Sequence, residues 1–415
     1  MKLLEPLRQR GFRRLYTGQV VADTGDGLDF LAIMTIVLFE WHHGAGALSL
    51  LALCSAVPLV VAAPLFGEIA DRYEPRSVMA ASNVLRAAAI TGIAFSDDLA
   101  VMGALAAVIA LGGGAYRASQ HRYVRYQLSR EMLLQANSLR STTERLLTGL
   151  AGPALAGLSI TLVGAHATLY ITAGCFAVSA VILGAVGEIT REDGPRKPRQ
   201  KGQMSAGFRY VLSNAPLRLT MASMAIAYVL SMMFDVLLPI WYRDMGGGPG
   251  YIGLAMMCLG IGGAAGAITV GKIGDRYNLL TVMAAASVAI GAVVGVMGLA
   301  GMSGVTELLV IWLFCAAVIG VGSSAAIVGY ITLVQRLTPK ELMGRVAAVS
   351  GMAMTVPTVI GPALAPGASA VAGVSGVFAG CGLALVALGL FIVWRARSYD
   401  LSAAPVSAPE PAKVS

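Results

Sequence analysis

The sequence predicts an all-α membrane protein with 12 transmembrane helices, arranged as two pseudo-symmetric six-helix bundles. Hydrophobic residues make up 57% of the 415 residues and charged residues only 13%, whereas soluble proteins carry about 25% charged residues. The apolar residues form runs that suffice to cross a bilayer, which takes about 20 residues each. A charged segment between two of these runs recurs in the second half of the chain. These three observations favour a duplicated helical bundle.

Each predicted span is one apolar run. In the first half the runs cover 15–40, 46–70, 77–96, 99–120, 137–163 and 166–189. In the second half they cover 216–242, 250–274, 278–301, 305–330, 342–367 and 370–394. Because the number of spans is even, both ends of the chain are expected on the same side of the membrane.

The distribution of basic residues predicts the orientation. With a cytoplasmic N-terminus, the inner segments hold nearly all loop arginines and lysines, while the outer loops hold only Arg243. Cytoplasmic loops carry such an excess of positive charge. We therefore expect a multi-pass protein of the bacterial inner membrane with both termini in the cytoplasm. This location also explains the net charge of +8 without nucleic-acid binding.

The longest inner connection divides the chain. We expect an N-terminal six-helix half over 1–190, a cytoplasmic linker over 191–215 and a C-terminal six-helix half over 216–396. Residues 397–415 are rich in alanine, proline and serine and are expected to form a disordered tail. The basic linker is expected to be solvated and to touch anionic lipid.

The repeated charged segment begins at Gly67 and again at Gly271. Carried on for sixteen residues, the two copies are identical at nine positions. The charged members are Asp71, Arg72 and Arg76 in the first copy and Asp275 and Arg276 in the second. Asp71 is expected at a helix end, where a carboxylate accepts hydrogen bonds from the start of a neighbouring helix.

Three carboxylates lie inside the first span, three residues apart: Asp23, Asp26 and Asp29. At helical spacing they share one face. Carboxylates in apolar surroundings are costly, so they face a water-filled cavity, form pairs or bind protons. Asp29 lies near mid-span and is the first candidate for proton or substrate binding, with Asp26 second. Asp23 lies nearer the cytoplasm and is the third candidate; its alternative is a structural role.

Further charges lie inside other predicted spans. Asp235 in span seven, the counterpart of span one, is expected to face the same cavity. Arg117 in span four is a candidate partner for a span-one acid or an anionic substrate; the alternative is an arginine that reaches the interface. Arg86 in span three is expected to be a structural counter-charge.

Several kinds of chemistry have no sequence signature here. The five cysteines all fall in apolar runs, and no Cys-x-x-Cys or Cys/His cluster is present. The phosphate-binding pattern of ATPases and a nucleophile triad are also missing. We therefore expect no enzymatic activity, no metal and no cofactor.

The spans, the two halves and the Gly-x-x-x-Asp-Arg-x-x-x-Arg loop resemble the major facilitator superfamily over essentially the whole chain. Within it, the chain is similar to the branch of bacterial macrolide-efflux and enterobactin-exporter proteins. The residues that carry this similarity are Phe12 to Gln19, Gly25-Asp26, Gln135 to Leu139 and Gly344-Arg345-Val346.

The resemblance implies a gating role for the loop motifs. Asp71 would pair with the start of span eleven, near Arg345, and this latch would stabilise the outward-facing state until the two halves rock. The implied members are Gly67, Asp71, Arg72, Arg76, Asp275, Arg276 and Arg345. The alternative is a topology signal alone.

A second implied motif lies in span five at Gly149, Gly152, Pro153 and Gly157, and it is similar to the antiporter signature of proton-coupled exporters. Gly361 and Pro362 repeat its Gly-Pro pair in span eleven. Small residues let helices approach closely, and proline bends a span. The alternative is general small-residue packing in a chain with 50 glycines.

Together these features predict a secondary transporter, in which proton entry drives efflux of a small amphipathic molecule such as a drug or siderophore. Its expected partners are that small molecule, protons and the lipid bilayer, and we expect a monomer. One alternative is an importer or facilitator of a nutrient or metal on the same fold. The other is a non-transporting membrane sensor or accessory protein.

Overall fold

A computed structural model describes residues 2–187, 203–274, 277–304, 309–339 and 341–396. The chain forms two compact units. One comprises Met1–Gly194 with Val236–Gly260, and the other comprises Pro195–Asp235 with Ile261–Ser415. Within the described ranges every regular element is a helix. The boundaries predicted for the two halves, the linker and the tail stay predictions, and the tail lies outside the described residues.

The helices of the first half begin after a short 3-10 segment, Lys2–Arg8. They are α1 Arg10–Thr35, α2 Ala45–Arg72, α3 Pro75–Ala94, α4 Leu99–Gln127, α5 Arg130–Leu146, α6 Gly152–Val163 and α7 Ala165–Gly184. Two π-helical turns interrupt the regular winding, Ile36–Glu40 after α1 and Leu147–Ala151 between α5 and α6. Predicted span five therefore consists of α5, a π turn and α6.

The second half contains α8 Gln203–Ser213, α9 Ala215–Asp244, α10 Pro249–Ile273, α11 Leu279–Ser303, α12 Leu309–Leu337, α13 Met343–Thr355 and α14 Pro357–Ala396. α8 lies inside the predicted linker, where the sequence analysis placed no helix. α14 is broken at Gly373, whose φ of 71° is left-handed. This break lies three residues inside predicted span twelve (370–394), so the turn between spans eleven and twelve comes slightly later than predicted.

The prediction of an all-helical membrane fold is confirmed. Among the described residues, ten helical segments are long and apolar enough to cross a membrane, and the last of them, Met343–Ala396, covers predicted spans eleven and twelve with the break at Gly373. α1 supplies the remaining span, and its three aspartates lower its apolar character. Twelve spans therefore fit the described helices.

Local sequence explains where several helices start. Asp98 caps α4, because its side chain accepts hydrogen bonds from the backbone N–H of Ala100 at 2.6 Å and of Val101 at 3.1 Å. Asn278 caps α11 in the same way through Leu280 at 2.9 Å. Pro75 occupies the first position of α3, where its missing N–H costs nothing.

In the first unit, α1 packs against α6 and α7, and α3 packs against α4 and α7. The π turn between α5 and α6 also contacts α1. In the second unit, α11 packs against α12 and α14, and α13 packs against α8. α1 is therefore enclosed by several helices, which explains why its polar face must find partners inside the protein.

Candidate functional site

The three aspartates of α1 differ in their exposure. Asp23 is buried, Asp26 keeps about a third of its side chain exposed at 30%, and Asp29 is half-buried. Their spacing of three residues places them along one face of the helix, roughly one turn apart. This face is the centre of the candidate site.

Asp26 forms an ion pair with Arg86 of α3, through Oδ1 and Nη2. The Arg86 side chain is only 3% exposed, and its guanidinium lies over the ring of Phe176 on α7 at 3.9 Å. A cation over an aromatic face is attracted by the ring. The pair therefore joins α1, α3 and α7, and it agrees with the counter-charge role predicted for Arg86.

A short chain of hydrogen bonds supports this pair. Arg86 Nη1 donates to Asn83 Oδ1 at 3.5 Å, and Asn83 Nδ2 donates to the Ser179 hydroxyl at 2.9 Å. Ser179 in turn donates to the carbonyl of Gly18 at 2.7 Å. Asn83 and Ser179 are fully buried. The fixed polar groups around Arg86 leave it little freedom to move away from Asp26.

Asp23 belongs to a second buried network that the sequence analysis missed. Gln19 Nε2 donates to Asp23 Oδ2 at 2.9 Å. The side-chain oxygen Oε1 of Gln19 accepts from Arg140 Nε at 2.9 Å and from Gln120 Nε2 at 2.9 Å. Arg140 also donates to Gln120 Oε1. Gln19 therefore links the carboxylate of Asp23 to the guanidinium of Arg140 without a direct ion pair between them.

The two networks connect only two of the three α1 aspartates to an arginine. Arg86 is paired with Asp26, and Arg140 is linked to Asp23 through Gln19. Two arginines therefore serve three aspartates. In the part of the chain that the structure describes, Asp29 has no ion pair. Asp29 lies within the field of Arg86 but shares that single charge with Asp26, so it lacks a counter-charge of its own.

Arg117, the predicted alternative partner for a span-one acid, is exposed on α4. It forms no ion pair with Asp23, Asp26 or Asp29 within the described ranges. The structure thus places Arg117 apart from the two networks, and its role toward an anionic substrate stays a prediction.

The second unit contains an apolar cavity of about 280 Å³ that is open on one side, since its lining includes the exposed side chains of Ile226, Met352 and Val356. It is lined by Ala225, Ile226, Val229 and Leu230 of α9 and by Met352, Ala353, Val356, Pro357 and Ile360 at the α13–α14 junction. At 100° per residue, Asp235 lies roughly opposite this lining on α9. The half-buried Asp235 and the cavity are therefore on different faces of the same helix.

The residues of the first loop motif lie at the end of α2 and, in the case of Arg76, at the start of α3. Gly67, Asp71 and Arg72 are exposed, and Arg76 donates from Nη1 to the carbonyl of Val186 at 3.4 Å. Arg122 of α4, which the sequence analysis did not single out, donates to the carbonyl of Ala70. The loop is therefore held to α4 and to the segment that follows α7. Of the second motif, Asp275 and Arg276 lie outside the described residues.

Arg345 is half-buried at the start of α13. Its carbonyl lies against Gly207 of α8, where an added Cβ would be 2.7 Å from the oxygen. The latch predicted between Asp71 and this end of span eleven stays a prediction.

The glycines of the span-five motif lie at close helix contacts. An alanine Cβ at Gly27 of α1 would be 2.6 Å from both the Cα of Gly152 and the carbonyl oxygen of Leu147. Gly157 faces Gly250 and Gly253 of α10, at 3.4 Å and 3.3 Å from its own added Cβ. Gly152 and Pro153 are buried. The motif thus brings α1 and α10 against span five at the level of the backbone.

The Gly-Pro pair of span eleven shows a related contact. A Cβ added to Gly361 would lie 3.0 Å from the carbonyl oxygen of Val229 on α9. Pro362 is buried. α9 and α14 therefore touch next to the apolar cavity.

We expect Gly152→Ala to reduce stability by about 1–3 kcal/mol, the usual cost of forcing extra atoms into a packed contact. The reason is that the new methyl group meets the backbone of both Gly27 and Leu147. Thermal unfolding of the purified protein in detergent measures the change. Gly149→Ala is the matched control, because nothing lies within 4 Å of an added Cβ there. Equal stability of the two variants would contradict the close crossing of α1 and span five.

Within the described ranges, no three His, Cys, Asp or Glu side chains are grouped so that they could hold a metal ion. The chemistry of the candidate site is therefore that of carboxylates, guanidinium groups and amides.

Comparisons with known proteins agree with this architecture. The sequence matches the family model of the Major Facilitator Superfamily over residues 15–356 and 220–414. It is 28% identical over 414 residues to the multidrug efflux pump Tap of Mycolicibacterium fortuitum, covering 93% of this chain and 96% of that protein. It is 26% identical over 390 residues to the uncharacterized MFS-type transporter YfiS of Bacillus subtilis (strain 168), covering 92% of each chain.

Among solved structures, a bacterial homologue of the iron transporter ferroportin in an inward-facing state has a TM-score of 0.71. The alignment covers 92% of this chain and 98% of that chain at 17% identity. At this identity the likeness supports the fold alone.

Proposed function

Because the chain belongs to the Major Facilitator Superfamily, it is a multi-pass membrane transport protein, and we propose that it couples proton entry to the efflux of a small amphipathic molecule. The proposal places the proton on Asp29 of α1. The substrate binds near the middle of the membrane, and the two six-helix halves rock to expose the binding site to each side in turn.

The observation that carries this proposal is the excess acid on α1. Arg86 pairs with Asp26 and Arg140 is linked to Asp23, whereas Asp29 has no ion pair within the described ranges. A carboxylate at membrane depth is costly without a counter-charge. A proton removes this cost, so Asp29 is suited to be neutral in one state of the cycle and ionised in another.

The roles of the other acids follow. Asp26 stands one turn from Asp29 and is held by Arg86, so it sets the local potential that Asp29 experiences. Asp23 is buried in an amide and guanidinium network, and we assign it a structural role. Asp235 is half-buried on α9 and remains the second candidate for proton binding.

The substrate class is supported by the cavity in the second unit. Its lining is entirely apolar, and apolar pockets recognise ligands chiefly by shape and desolvation. A volume of about 280 Å³ suits the apolar part of a small organic molecule. Tap of Mycolicibacterium fortuitum is named a multidrug efflux pump, which favours a drug as cargo over a siderophore.

The direction of transport is argued from the span-five motif. Gly149, Gly152, Pro153 and Gly157 have the pattern of proton-coupled exporters, and Gly361 with Pro362 repeats part of it. We therefore favour export over import or facilitated diffusion of a nutrient or metal. The basic inner segments support a bacterial inner-membrane location with both termini in the cytoplasm. We propose that the functional form is a monomer.

The test is transport by the purified protein in liposomes. The liposomes are loaded with a fluorescent amphipathic dye, and a pH gradient is imposed across their membrane. The movement of the dye is then followed with and without a protonophore. The proposal expects dye movement against its own concentration gradient, opposite to the proton flow, and loss of this movement with the protonophore. Equal movement under both conditions would reject proton coupling, and dye movement along with the protons would reject efflux.

We further propose that the first loop motif controls the rate of conformational exchange. Asp71→Asn is expected to slow transport strongly while leaving substrate affinity nearly unchanged, because the residue lies at a helix end, away from the α1 acids. Initial transport rates and equilibrium dye binding separate the two effects. A variant that loses binding but turns over the remaining substrate normally would contradict the gating role.

A further inference from the structure

We propose that one face of α8 binds the anionic headgroups and adjoining acyl chains of the bilayer. The inference is independent of proton coupling and of the substrate. It concerns Gln203–Ser213, a helix that lies in the basic connection between the two halves.

The faces of α8 differ in what they contact. Gly207 and Val211 are buried, and Tyr210 donates its hydroxyl to the carbonyl of Leu337 at 3.1 Å. This side of α8 packs on the other helices of the second unit, to which α8 belongs. Phe208 is 55% exposed and Leu212 is 48% exposed. Being four residues apart, they project from the same side of α8, next to the packed side.

Basic side chains flank this exposed apolar pair. Arg209 is exposed on α8, and the exposed Arg218 of α9 donates from Nη1 to the carbonyl of Leu212 at 2.7 Å. A helix with apolar side chains beside arginines lies in the interface between headgroups and acyl chains. The two guanidinium groups are attracted to the net negative charge of anionic lipids, which zwitterionic headgroups lack because a choline cancels the charge of their phosphate.

The position of α8 relative to the ends of the spans agrees with a location at the interface between headgroups and acyl chains. It contacts Leu337, the last residue of α12, and Arg345, near the start of α13. Both are places where a long apolar helix meets a polar loop, so α8 is at the level of the headgroups. Phe208 and Leu212 would otherwise expose apolar surface to water.

The contact between α8 and Arg345 means that lipid bound to α8 also affects the start of span eleven. The backbone of Gly207 lies against the carbonyl of Arg345, so α8 and the beginning of span eleven share a tight contact. Lipid that fixes α8 therefore also restricts the start of that span. We expect the stability of this end of the span to depend on the headgroup composition of the membrane.

The test is hydrogen–deuterium exchange of the full-length protein in vesicles. Vesicles of phosphatidylcholine are compared with vesicles that also contain anionic phosphatidylglycerol. The amides of Gln203–Ser213 are expected to exchange about fivefold more slowly in the anionic vesicles for each arginine that contacts a headgroup. The readout does not require transport, so it stands even if the proposed efflux fails.

Three double variants of the α8 surface and one control make the test specific. In F208A/L212A the amides of α8 should exchange faster than in the unchanged protein in both kinds of vesicle. In R209Q/R218Q only the additional slowing caused by phosphatidylglycerol should be lost. R209K/R218K keeps the charges and should retain most of it. L158A/L162A is the matched control, because it removes an exposed apolar pair, also four residues apart, from α6.

Equal exchange of α8 in both kinds of vesicle would overturn the proposal. Headgroup-dependent protection that survives R209Q/R218Q, or that L158A/L162A also removes, would overturn it as well. Transport rates of the same variants then report whether the lipid contact affects turnover.

Discussion

Asp29→Asn is expected to abolish substrate accumulation driven by a pH gradient while leaving downhill substrate exchange intact. Asparagine has nearly the same shape as aspartate but cannot titrate, so the variant keeps the packing of α1 and loses the proton. The pH dependence of substrate binding should also flatten. Dye accumulation and dye exchange in the same liposomes measure both effects.

The matched control is Asp23→Asn. Asp23 accepts a hydrogen bond from Gln19 at 2.9 Å, and it lies two turns from Asp29 on the same helix. We expect this variant to retain gradient-driven accumulation, with some loss of stability. If Asp29→Asn and Asp26→Asn both keep full gradient-driven transport, the proton site on α1 is refuted, and Asp235 becomes the leading candidate.

Arg86→Met is expected to destabilise the protein by about 2–3 kcal/mol, somewhat below the 3–5 kcal/mol typical of breaking a fully buried ion pair, because Asp26 is 30% exposed. The substitution leaves the Asp26 carboxylate without its counter-charge and removes the guanidinium from the Phe176 ring. Thermal unfolding in detergent gives the size of the loss.

A double variant separates the charge from the packing. In R86M/D26L both charges are gone, and apolar replacements of a buried pair are often neutral or stabilising. We expect it to recover much of the lost stability. Arg243→Gln is the control, since Arg243 pairs with Asp244 on a partly exposed surface, where ion pairs contribute about 0–1 kcal/mol. A double variant as unstable as Arg86→Met would show that the charges are not the cause.

Much of the fold could be predicted from the sequence, because a bilayer imposes one simple requirement on length and polarity. The spans and the single acidic face of α1 follow from that requirement and from helical periodicity. Arg86 could also be anticipated, since an arginine in an apolar span needs a partner of opposite charge.

The network around Gln19 could not be predicted. Its members, Gln19, Gln120 and Arg140, come from three different helices, and their meeting depends on how α1, α4 and α5 pack. The sequence pattern does not show which uncharged amide side chains in a span form hydrogen bonds with each other and which do not. α8 was missed for another reason: it is short, and the prolines and charges before it are typical of a linker. The apolar cavity depends on the shape of the α9 and α14 contact, which composition does not encode.

The placement of the apolar cavity in one unit and the acids of α1 in the other has an evolutionary consequence. Under the proposed function, a substitution in the cavity lining alters which molecules bind but leaves the proton chemistry untouched. Selection by a new toxic compound can therefore act on Ile226, Leu230 or Met352 one residue at a time. Under the same proposal, the substrate range of the transporter would change over evolutionary time while the coupling to the proton gradient stays constant.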